Sequence, residues 1–199
     1  PQLDMIAKEL GIDPVDLRMK NLIYAGYDHP AKKQIGSCGL KEALLGVTSA
    51  LNWQQKQGKL PRGHGFGIAC SNFGCGPKTF PHAGGGIIIE INMDSGVNIL
   101  SGAADIGQGT DTILCQIVAE ELGVRMEDTR IIAADTATTP FDMGTFGSGV
   151  TFRVGNAAIR AARDAKKQLL DVISLQLEAP PEKIKFSGGN VYIQGHAGR

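Results

Sequence analysis

Two glycine-rich stretches hold most of the residues with evident chemistry. The first is Asp105-Ile106-Gly107-Gln108-Gly109-Thr110-Asp111-Thr112, and it falls between a predicted strand and a predicted helix. Gly107 and Gly109 let the backbone turn tightly and come close to a ligand, while the amides of the first helical turn point outward, unpaired and partly positive. Such a site suits an anion, phosphate above all. Gln108, held between the glycines, offers an amide donor and a carbonyl acceptor, enough to read the edge of a heterocycle. The plainer reading is an ordinary strand-to-helix turn capped by Thr110 or Asp111, and spacing alone favours it. The stretch is not a dinucleotide fingerprint, because GxGxxG is incomplete. It is not a P-loop either, because no Gly-Lys-Ser/Thr follows.

The second stretch, residues 144–156, begins Gly144-Thr145-Phe146-Gly147-Ser148-Gly149 and runs ahead of a long predicted helix. It repeats the device: flexible backbone, the hydroxyls of Thr145, Ser148 and Thr151, then a helix start with exposed amides. A loop with a capping Ser or Thr would look the same. Two such loops in one segment suggest a long phosphorylated ligand lying across two helix starts. Other candidates carry less. His64 and His82 flank a predicted strand region, and Cys75 lies in Asn72-Phe73-Gly74-Cys75-Gly76-Pro77-Lys78; none receives a catalytic role. Asp135 and Asp142 are a possible acid pair, although solvated loop carboxylates are the simpler reading, and Trp53 reads as a core anchor. No Ser-His-Asp or Cys-His order for nucleophilic catalysis is present.

These loops need elements to hold them. With 199 residues, 42% of them hydrophobic, the chain can build one large core or two small ones. Residues 2–25 read as two short helices hinged at Gly11, the second with Asp13 as N-cap and Pro14 at its first position. A polar linker over 27–37 leads to a helix from Leu40 to about Gln57, ended by Gly58 and Pro61. Near Gly63 the hydrophobic period changes from 3.6 to 2. Strands are predicted over Gly65–Cys70 and Gly86–Asn92, the latter turning through Asp94-Ser95-Gly96 into Val97–Leu100 as an antiparallel meander. A helix over 110–122, a strand over Arg130–Ala134 and an Ala-rich helix over Ala157–Leu177 follow, the last stopped by Pro180-Pro181. Short strands over Ile184–Phe186 and Val191–Ile193 end the chain. The expected class is α+β: a helical segment and linker over 1–61, then a sheet-and-helix body over 62–199.

Charge and cysteines narrow the function classes. Twenty basic and twenty acidic residues cancel, which removes the electrostatic argument for a nucleic-acid or anionic-membrane partner. The middle segment, 61–150, is nonetheless acidic, with four basic against ten acidic residues. Cys38, Cys70, Cys75 and Cys115 form no CxxC and lack the spacing of a zinc or iron–sulfur site, so they read as reduced thiols of a cytoplasmic protein. No signal peptide and no apolar run near eighteen residues is evident. The start at Pro1 and the end at Arg199 suggest a piece of a longer chain.

The run Gly102-Ala103-Ala104-Asp105-Ile106-Gly107-Gln108-Gly109-Thr110, continuing through Ala119-Glu120-Glu121-Leu122-Gly123-Val124, resembles the molybdopterin-binding part of the large subunit of the xanthine dehydrogenase/aldehyde oxidase family. So do Gly144–Ser148 with Val154-Gly155-Asn156-Ala157-Ala158, and the passages Ala7–Pro14 and Leu17–Ile23. Asp135-Thr136-Ala137-Thr138-Thr139-Pro140 and Val150-Thr151-Phe152 look nearest to the 4-hydroxybenzoyl-CoA reductase alpha-subunit branch.

The resemblance implies a molybdopterin cofactor, in the cytosine dinucleotide form, with iron–sulfur centres and FAD on partner regions or subunits. By motif, Gly107, Gln108, Gly109 and Thr110 would contact the pterin or its phosphates. Thr145, Phe146, Gly147, Ser148 and Gly149 would hold another part of it. Gly149 stands where the family often carries Arg, which implies one missing cationic contact. The family's glycine-rich Phe loop facing the metal, and its Gly-Glu base, lie outside these residues. The chain is therefore expected to hold no catalytic residue and no protein metal ligand, and to be inactive alone. In the whole enzyme the metal would exchange an oxygen atom with an aromatic or heteroaromatic carbon. Hydroxybenzoyl-CoA reduction leads. The alternatives are an aldehyde, carbon monoxide or xanthine dehydrogenase, or a non-catalytic α+β assembly domain.

Overall fold

The computed structural model describes residues 1–28, 35–76 and 84–195, and His82 and Lys78 lie outside them. The chain divides into two units, Pro1–Phe73 and Gly74–Arg199. The first carries α1 (Gln2–Glu9), α2 (Pro14–Lys20), α3 (Leu40–Leu51) and α4 (Trp53–Lys56). Helix α2 starts as its sequence dictates: Pro14 opens it and the Asp13 carboxylate accepts the Val15 amide at 2.6 Å. The single helix expected over Leu40–Gln57 is instead two. Asn52, at φ 51, breaks it in the left-handed conformation that Asn tolerates better than most residues. The break seats Trp53 in a core with Val15 and Leu44, its indole donating to both Asp13 carboxylate oxygens at 3.0 and 3.2 Å.

The strand expected over Gly65–Cys70 does not form a ladder among the described residues. Phe66, Ile68 and Cys70 do turn toward the Trp53 core at the period of an extended chain, with the Phe66 ring 5.1 Å from that of Trp53. Alternation reveals which face is apolar, but it does not supply a neighbour to pair with. Residues 62–73 therefore go with the helical unit, beyond the boundary expected at 61.

The second unit contains β1 (Ile87–Ile91), β2 (Val97–Ser101), α5 (Thr110–Leu122), β3 (Thr129–Ala133), α6 (Val150–Gln176), β4 (Ile184–Ser187) and β5 (Asn190–Ile193). Strands β1 and β2 form the expected hairpin, with Ile89 opposite Ile99. Strand β3 joins β2 in parallel, Ile131 opposite Ile99, after α5 has carried the chain back. The sheet, ordered β1-β2-β3, is thus mixed and not an all-antiparallel meander. The connection length decides this, since a helix-sized crossover returns a strand in parallel.

Helices α5 and α6 cover one face of that sheet. Leu114, Val118 and Leu122 of α5 share the core with Val97 and Ile99. Gly123 ends α5 at φ 78, and a Cβ there would lie 2.6 Å from the Phe186 carbonyl oxygen, so glycine is required twice over. Helix α6 begins seven residues before the expected Ala157. Val150, Thr151 and Phe152 are weak helix formers, but Val150, Val154, Ala158 and Ala162 recur every four residues and all are buried. Core packing overrides propensity here. The four cysteines are free thiols, and among the described residues no helix is long and apolar enough to cross a membrane.

Candidate functional site

The loop from 102 to 109 links β2 to α5. It leaves the sheet beside the segment that leads to the second loop: a Cβ on Gly102 would meet the Pro140 carbonyl oxygen at 2.1 Å and the Asp142 nitrogen at 2.9 Å. Further on, the Asp105 carboxylate accepts the Gly107 amide at 2.7 Å and the Asp111 amide at 3.4 Å. The Gly107 amide, then those of the helix start, hold this exposed carboxyl below its ordinary range. Gly107 and Gly109 take φ values of 103 and 81, with open space where a Cβ would stand. Gly109 is the N-cap, without a side-chain bond, so neither Thr110 nor Asp111 caps the helix as expected. Burial, and next the Asp105 charge, push the Asp111 carboxyl up, and one of its oxygens is buried without a hydrogen-bond partner.

Gln108 folds back on its own loop. Its side-chain oxygen accepts the Ile106 amide at 2.7 Å, and its nitrogen donates to the Thr110 hydroxyl and, at 3.4 Å, to the Ala104 carbonyl. Both of its polar groups thus have partners within the turn.

The second loop is braced from neighbouring segments. The Gly76 amide donates to the Gly147 carbonyl at 2.7 Å. The Arg153 guanidinium, one turn into α6, donates to the carbonyls of Gly84 and Gly144 at 2.8 Å each and stands 5.4 Å from the Phe146 ring centroid. It pairs with the Asp142 carboxylate at 3.6 Å, and the two side chains are only 6% and 1% exposed. Within the loop, Gly147 and Ser148 are both left-handed, at φ 64 and 52, an uncommon state for serine. Among the described residues the amides of Thr145, Gly147 and Ser148 have no hydrogen-bond acceptor.

One bond joins the loops: the Thr145 hydroxyl donates to the Ala104 carbonyl at 2.6 Å. The two stretches singled out by composition therefore sit side by side. Asp135 and Asp142 do not form an acid pair. Asp135 closes an exposed local turn on the Ala137 amide and the Thr138 hydroxyl, while Asp142 is no solvated carboxylate but is buried against Arg153. His64 and Cys75 are exposed, and Trp53 belongs to the first unit's core. Among the described residues no three His, Cys, Asp or Glu side chains gather as a metal site.

Two residues of consequence escape a reading of the sequence. Asp105 precedes Gly107 by two positions, the spacing of an Asx turn, and that signal was available. Arg153 faces the loop only because α6 starts at Val150.

A family model described as the molybdopterin cofactor-binding domain matches residues 46–199. The xanthine dehydrogenase molybdenum-binding subunit of Escherichia coli O157:H7 is 34% identical over 200 residues, covering 96% of this chain and 26% of that relative. The 6-hydroxypseudooxynicotine dehydrogenase complex subunit gamma of Paenarthrobacter nicotinovorans is 27% identical, covering 96% and 25%. Among solved structures, the reconstituted CO dehydrogenase from Oligotropha carboxidovorans aligns with a TM-score of 0.55 at 26% identity, over 97% of this chain and 27% of that one. The chain spans about a quarter of the length of the relatives it matches.

Proposed function

Because the chain belongs to the molybdopterin cofactor-binding domain family, we propose that its two joined loops hold different parts of one molybdopterin cofactor. The observation that carries this is the Thr145 to Ala104 bond, which holds the two loops next to each other. The residues fit such a group unequally. In the first loop the Asp105 carboxylate already occupies amides that would otherwise attract phosphate, so the open backbone at Gly107 and Gly109 suits a neutral heterocycle edge, with Gln108 and the buried Thr110, bonded to each other, shaping the turn behind it. The unpartnered amides of Thr145, Gly147 and Ser148 suit an anionic part, with Phe146 and Gly149 completing that wall.

When bound, the cofactor supplies two-electron chemistry at a substrate carbon. This chain's own residues bind and orient it, and none takes the role of acid or base. The cofactor is proposed to be the cytosine dinucleotide form. The chain works within a longer large subunit, beside iron–sulfur and FAD-bearing subunits, in the cytoplasm, where its free thiols stay reduced.

For the reaction, the Asp135–Pro140 and Val150–Phe152 motifs support a reductive dehydroxylation of an aromatic acyl-CoA thioester. The 34% identical relative favours a second reading, a xanthine-type dehydrogenase. The full-length complex tests both. Molybdenum and cytidine nucleotide near one per subunit would support the cofactor, and absence of both would remove it. Turnover of hydroxybenzoyl-CoA with a reduced electron donor, but not of xanthine, an aldehyde or CO, would select the first reading; xanthine turnover alone would select the second.

A further inference from the structure

We propose that Arg153 and Asp142 form a latch that positions the 144–149 loop, with the arginine's planar fork as the part that matters. The inference rests on the reading above, that this loop touches the cofactor. Asp142 lies just before the loop and Arg153 just after it. Their pairing across 3.6 Å therefore closes the loop at its base. Each also grips a main-chain group. Asp142 accepts the Gly144 amide at 2.7 Å, and Arg153 donates to the Gly144 and Gly84 carbonyls at 2.8 Å. Behind them Gly85 bridges to Asp142, and a Cβ at Gly85 would stand 2.3 Å from the carboxylate. No larger residue fits at that contact. Both charged side chains are almost wholly withdrawn from water, so each depends on the other for compensation.

The latch is distinct from what folds the helix. Val150, Val154, Ala158 and Ala162 carry α6 into the core, whereas among the described residues the guanidinium meets the Gly84 and Gly144 carbonyls, the Phe146 ring and Asp142. What it holds is a loop with a left-handed Ser148, a shape that persists only where its surroundings determine it. Two carbonyls at fixed separation call for a rigid two-pronged donor. A lysine keeps the charge but places one compact ammonium where the fork reached two acceptors.

The test uses the full-length subunit, with and without cofactor, as wild type, Arg153→Lys and Asp142→Asn. We expect Arg153→Lys, which keeps the charge, to hold the wild-type thermal midpoint closely, and Asp142→Asn, which leaves the withdrawn guanidinium without its counter-charge, to lower it without unfolding the subunit. In the cofactor-free subunit, exchange of the Gly144 and Gly149 amides, which have acceptors at Asp142 and Phe146, should quicken by roughly tenfold while that over 105–109 stays unchanged. Retained molybdopterin should fall several-fold, with lysine failing to rescue it. Unchanged exchange of the Gly144 and Gly149 amides in Arg153→Lys overturns the latch, as does global unfolding of both variants, which would make the pair part of the fold. If Arg153→Lys alone fails to fold, the exchange of Asp142→Asn decides. Faster exchange with full cofactor retention leaves the latch standing and removes the cofactor reading of this loop.

Discussion

Loops 105–109 and 144–149 start from the same ingredient, glycines ahead of a helix, and are stabilised in opposite ways. The first closes on itself: Asp105 takes the amides of Gly107 and Asp111, and Gln108 takes the Ile106 amide. The second is held from outside, by Gly76, Arg153 and Asp142, and leaves amides of its own without acceptors. A helix start is an anion site only if the chain has not already supplied the anion. The outward-braced loop is thus the better place for a phosphate, although glycine content alone ranks the two as equals.

The largest effect should come from the base that both loops share. Gly102→Ala forces a methyl onto the Pro140 carbonyl, and an overpacking cost of about 1–3 kcal/mol should appear in the denaturation midpoint of the full-length subunit. Exchange should rise in both loops; a rise in only one would show that they do not share this base. Next, Gly107→Val or Gly109→Val has room for the side chain but not for the φ. It should cost about 1–2 kcal/mol and perturb 105–109 alone. Thr145→Val removes the hydroxyl bond that ties one loop to the other, so a smaller loss of about 0.5–1.5 kcal/mol is expected, with cofactor content falling more than stability.

Gln108→Ala separates two uses of one side chain. If the glutamine only ties its loop, exchange at Ile106 quickens and molybdenum content is kept; if it also meets the cofactor, content falls at an almost unchanged midpoint. The smallest effect is one of pH. The amides facing Asp105, that of Gly107 first, hold its pKa below the usual carboxylate range, so its hold on the loop is complete at neutral pH and is lost as pH falls through that lowered value. The Gly107 amide should lose protection in acid, and Asp105→Asn should abolish that dependence.

Much of the second unit was legible in its sequence. The helix expected over 110–122 matches α5, and the β1–β2 hairpin follows from a period of two around Asp94-Ser95-Gly96. The misreadings share one cause, tertiary contact overriding a local signal. Val150 and Val154 are helical because the core receives them every fourth residue, and Asn52 breaks a helix so that Trp53 can reach Asp13. The site was legible as composition and not as wiring. Glycines marked both loops and hydroxyls the second, yet nothing local shows that Arg153 reaches back to Gly84, sixty-nine residues earlier.

The extended run at 65–70, with alternate side chains turned to the Trp53 core and no ladder on its backbone among the described residues, bears on how the chain meets proteases. These enzymes bind their substrates stretched out, through the main chain, and a segment already in that form needs little local unfolding to enter the cleft. Its place just before the junction of the two units at Phe73 makes it the first cut expected in limited digestion. That cut would leave α1–α4 on one fragment and both loops intact on the other.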